Sequence, residues 1–112
     1  MNPYDEESIA EARDRMLALA GAILRGEVGV LLGAARMLEF RYGAGLDEWD
    51  DDMITFVGIE SQEDHLPVGH VRQLWSAEAL ARVDPEIAMA EAFHRPAAFA
   101  ACESLIRRFG TD

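Results

Sequence analysis

A chain of 112 residues, half of them apolar and with a formal charge of −11, has the size and composition of a single folded domain, 1–112, and not of a disordered segment. All ten basic residues are arginine, set against 21 acids. Direct nucleic-acid binding and anionic membrane surfaces are therefore disfavoured, because both need cationic groups to meet phosphates. A basic protein partner remains open.

The lone cysteine, Cys102, closes no intrachain disulfide, and the acidic start at Asp5, Glu6 and Glu7 is unlike the basic end of a signal peptide. No apolar run approaches the roughly 20 residues that a bilayer needs. A cytoplasmic location is expected. The charge is also uneven: residues 1–64 hold 15 acids and five arginines, −10, and residues 65–112 hold six acids and five arginines, −1.

The first helix is expected from Asn2 or Asp5, either of which can cap it, with Ile9, Met16, Leu19 and Ile23 at helical spacing and Gly26 as its stop. A second follows over 27–42, with Val28, Leu31, Leu38 and Tyr42 on one face. Gly29 and Gly33 lie four apart and suit a close approach of another helix. Asp50 or Asp51 caps a third helix through Met53 and Phe56, although the β-branched Ile54, Thr55, Val57 and Ile59 leave a strand open. Residues 61–83 should be an irregular cap across one end of the bundle, plugged by Leu74 and Trp75, with a brief helix after Ser76. Asp84-Pro85-Glu86 then reads as the start of a last helix over 85–109, kinked or split by Pro96. The fold expected is all-α: a bundle of about four main helices.

Asp47, Glu48, Trp49, Asp50, Asp51 and Asp52 form the densest acidic run, with a tryptophan at its centre. Calcium-loop spacing fails, since the sixth position from Asp47 is Asp52 where a glycine is needed. Capping and solubility explain much of the run. A docking loop for a basic protein partner explains the tryptophan. Arg72 and Trp75, in the turn-rich segment 69–75, are the second candidate contact.

The alternative is a small metal-binding or metal-dependent hydrolase-like protein using Glu60, Asp64, His65 and His70, whose spacing matches no metal motif. His94, among helical alanines, reads as a packing histidine, and Cys102 as a small buried hydrophobe. No catalytic residue and no cofactor is legible. A homodimer through Ala97, Ala98 and Ala101 is a further possibility.

The runs Phe56-Val57-Gly58-Ile59-Glu60-Ser61, Leu66-Pro67-Val68-Gly69-His70-Val71-Arg72-Gln73-Leu74-Trp75 and Glu78-Ala79-Leu80-Ala81-Arg82 resemble an uncharacterised family of small helical bacterial proteins, over about residues 28–109. That resemblance implies a helical fold and carries no assigned activity. In size and charge alone the chain is similar to the cytoplasmic immunity proteins of bacterial toxin systems. The acidic run and this second similarity lead to one expectation, a non-enzymatic acidic module of immunity or regulatory type that binds a basic protein.

Overall fold

The computed structural model describes residues 5–110. In chain order it comprises α1 (Glu6–Leu24), α2 (Val30–Phe40), α3 (Asp51–Glu63), a 3-10 turn (Gly69–Leu74) and α4 (Ala77–Phe109). Among the described residues there is no strand, and the β-branched run of α3 is helical. α4 packs on all three other helices. At 33 residues it is about 50 Å long, as long as the molecule's 47 Å major axis.

Local chemistry starts and stops α1. The Asp5 carboxylate accepts the Ser8 N–H at 2.8 Å, and Glu6 and Glu7 occupy the positive end of the helix dipole. Asn2, the other expected cap, lies outside the described residues. Gly26, at φ +77°, makes the left-handed turn that ends the helix.

α2 begins at Val30, three residues later than expected, because nothing nearby can cap it. Its N-cap is Gly29, which has no side chain. The cap comes from α4: Glu91 Oε1 accepts the Val30 N–H at 2.7 Å and Oε2 the Leu31 N–H at 2.9 Å. A carboxylate there satisfies two orphan donors and meets the helix dipole. A Cβ on Gly29 would stand 3.1 Å from that carboxylate. Gly33 serves the close approach expected of it, since a Cβ there would fall 2.6 Å from Ile23 Cδ1 of α1.

The irregular cap is shorter than expected. Residues 61–63 complete α3 and residues 77–83 open α4, which leaves only 64–76 outside the α-helices. Leu74 does not plug the bundle: it is 85% exposed, and Trp75 is half-buried. Leu66, Pro67 and Val68 cover that end instead.

The helix start expected at Asp84-Pro85 lies inside α4. Ser76, whose hydroxyl accepts the Ala79 N–H at 3.1 Å, caps it two turns earlier. α4 is not split at Pro96 either. Pro85 and Pro96 are both exposed, and so are Ala81 and Ala92, the residues whose carbonyls lose their helical donors. Of the alanines expected at a dimer face, Ala98 and Ala101 belong to the chain's own core; only Ala97 is exposed.

The core centres on Phe56, Met16, Ile23, Met37, Met53 and Leu105, all fully buried. A side chain at position 33 must push Ile23 out of its packed position, toward the cleft of about 120 Å³ that Ile23 lines with Val28 and Phe99. Gly33→Ala should destabilise by about 1–3 kcal/mol, although alanine is the better helix former. In a double-mutant cycle by chemical denaturation, adding Ile23→Ala should cost less than the sum of the single changes.

Candidate functional site

The acidic run lies on the turn between α2 and α3. Gly45, at φ +80°, and the Leu46 N–H donated to the Arg41 carbonyl at 3.0 Å set its course. Buried Ala44 and Leu46 anchor its start, and Arg13 Nε donates to the Ala44 carbonyl at 2.9 Å. The Trp49 N–H donates to Asp47 Oδ1 at 2.8 Å, which fixes the backbone at the tip. Trp49 itself is 74% exposed.

The acids divide into two groups. Asp50 is the N-cap of α3, accepting the N–H groups of Asp52 at 3.1 Å and Met53 at 3.2 Å. Arg108, at the end of α4, closes on the same place: Nη2 donates to Asp50 Oδ1 and Nη1 to Asp52 Oδ2, both at 2.6 Å. Ser104 Oγ adds a hydrogen bond to Asp52 Oδ2 at 2.7 Å. The guanidinium of Arg108 also stands 4.8 Å from the Phe109 ring centroid, and that of Arg13 stands 4.6 Å from it.

These two aspartates are thus spent inside the fold, whereas Asp47, Glu48 and Asp51 face solvent. Arg108, and then the two backbone N–H groups, hold the Asp50 carboxyl below the ordinary carboxylate range, against an opposing effect of burial. Arg108 is correspondingly held more firmly protonated, chiefly by Asp50.

Arg72 and Trp75 lie apart from this loop in sequence, and Arg72 already has partners. It donates to both oxygens of Asp84, at 2.9 and 3.2 Å, and to the Pro67 carbonyl at 3.3 Å. With the exposed pair of His65 Nε2 and Glu86 Oε2 at 2.8 Å, it ties segment 64–76 to the first turns of α4. Glu86 holds the His65 imidazole above its ordinary pKa.

The metal-ligand set separates. Glu60 and Asp64 line a cleft of about 170 Å³ with Glu63, over an apolar floor of Leu31, Ile59 and Leu66. His65 turns to Glu86, and His70 is not among the lining residues. Among the described residues, no three of His, Cys, Asp and Glu are placed to hold an ion.

Sequence reasoning missed one buried pair. His94, 6% exposed, shares a hydrogen bond between its Nε2 and Glu63 Oε2 at 2.8 Å. The Phe93 ring stands edge-on to the imidazole, centroids 4.9 Å apart. The apolar line through Ala90 and Leu105 pointed to burial of His94, but no local signal named a partner 31 residues away.

Cys102 is buried. Burial first, then the charges of Asp52 and Glu103, push its thiol up to about 12, so it holds almost no thiolate at neutral pH.

Two outcomes follow from these electrostatics. The Asp50 carboxyl sits below its unfolded value, so its stabilisation is complete above about pH 4 and drains away as pH falls through the folded-state pKa. Between about pH 4 and pH 2 the wild-type melting temperature should fall further than that of Asp50→Asn, which keeps a capping side chain but no charge. Native protein should resist iodoacetamide at Cys102 at neutral pH and react once denatured, as read by intact mass. Comparison with known proteins finds no family model, no curated protein and no solved structure that matches this chain.

Proposed function

We propose that this chain is a non-enzymatic protein-binding module of immunity or regulatory type, which docks a basic protein partner through the loop 47–52. The observation that carries the reading is Trp49, 74% exposed on a loop held from both sides. An aromatic side chain left in water contributes nothing to folding, and on a fixed backbone it is poised to bury its area against a partner at little entropic cost. Asp47, Glu48 and Asp51 surround it as exposed acids, and they draw a cationic surface into encounter.

The roles within the run then differ. Asp50 and Asp52 position the loop through Arg108, while Trp49 and the three exposed acids make the contact. Arg72, paired with Asp84, serves the partner only indirectly, by fastening segment 64–76 to α4, and Trp75 is left as the second candidate contact.

A peptide-display selection against the immobilised chain tests this. The enriched peptides should combine arginine or lysine with an aromatic or aliphatic residue. Their affinity should fall about tenfold in Trp49→Ala, and it should fall again when salt rises from about 0.05 M to about 0.5 M. Binders indifferent to both changes would overturn the reading.

A further inference from the structure

α4 turns Ala90, His94, Ala98, Ala101, Cys102 and Leu105 to the core. At 3.6 residues per turn the opposite face is left to solvent. Its centre is apolar. Met89 is 74% and Phe93 75% exposed, with Pro85, Pro96 and Ala100 exposed beside them. Its ends are charged, with Glu78 and Arg82 before the apolar stretch and Glu103 and Arg107 after it, all exposed. Glu78 and Arg82 face each other only loosely, at 3.9 Å.

The order along this face is acid, base, apolar, acid, base, and that order is self-complementary. When a second α4 is laid antiparallel about a two-fold axis between residues 92 and 93, Glu78 meets Arg107 of the second copy. In the same register Arg82 meets Glu103, and Met89 meets Pro96. One axis satisfies both charge pairs and superposes the apolar centres. Successive members of the face lie three or four residues apart, the spacing of a helix pair crossing at a shallow angle. A parallel arrangement would set Glu78 against Glu78 and Arg82 against Arg82, and like charges repel.

The chain's large negative charge does not oppose contact here. The span of α4 holds five acids and four arginines, net −1, whereas residues 1–64 carry −10. We propose that the outer face of α4 is an isologous dimer interface, occupied by α4 of a second copy of this chain in antiparallel register. The interface uses none of the residues 47–52, although Glu103 and Arg107 neighbour Ser104 and Arg108, which hold that loop.

Sedimentation equilibrium of the full chain over a concentration series tests the proposal, with circular dichroism confirming the helix content of each variant. The wild type should show a monomer–dimer equilibrium. Phe93→Asp should weaken it by about tenfold or more. Arg82→Glu alone and Glu103→Arg alone should each be monomeric where the wild type is dimeric, because each places like charges together twice. An equimolar mixture of those two variants should dimerise again, because every charge pair is then opposite. A wild type that stays monomeric throughout overturns the proposal. So does a dimer that survives both single charge reversals, or a mixture that fails to reassociate.

Discussion

The guanidinium of Arg108, clasped between Asp50 and Asp52, is the contact on which the remaining architecture leans. It joins the C-terminal end of α4, where the helix dipole is negative, to the N-terminal end of α3, where it is positive. The acids stand at the positive end and the arginine at the negative one, so each charge is favoured by its own helix before the two meet. Asp50 is only 10% exposed at the side chain. There the pair is worth more than a surface ion pair, and losing one partner would leave a charge with poor hydration. The same contact settles the run 47–52, because it fixes the last residue of the turn while Ala44 and Leu46 fix the first.

That arrangement shows why the acidic run was only half legible. Six consecutive residues with five carboxylates announce a charged turn and a helix start, and both are present. Composition cannot say which carboxylates are consumed internally, since the consumer lies more than fifty residues away. The Glu91 cap on α2 and the His94–Glu63 pair fall under the same limit. Helical periodicity located all four helices because that signal is local. The partners that hold them are non-local, and in one sequence they leave no trace beyond a polar residue on an otherwise apolar face.

Asp84-Pro85-Glu86 misled for a different reason. A capping aspartate followed by proline is a strong start signal only where no helix is already running. Ser76 had already supplied a cap eight residues upstream, and the loss of one hydrogen bond falls at Ala81, an exposed position where water can replace the missing donor. The alanines Ala77, Ala79 and Ala81 favour propagation in that stretch. Arg72 on Asp84 and Glu86 on His65 then hold it from the side. Both pairs are exposed, so their contribution is modest and their main effect is on orientation.

Residues 77–89 place no side chain fully in the core, and yet they are continuous with the rest of α4. A helix that existed only to complete the bundle would need apolar residues on its inner face and tolerate anything outside. Met89 and Phe93 lie on the outer face and leave most of their surface in water. Met89 and Phe93 contribute little to the chain's own core, where Phe93 offers only the edge-on contact with the His94 ring. Burying side chains of that size against an apolar surface is worth about 1.5–3 kcal/mol each, a gain that the monomer largely forgoes. In the proposed antiparallel dimer that gain is realised, and the apolar identity of these two positions then has a use that folding alone does not give it, as Trp49 has in the proposed docking loop.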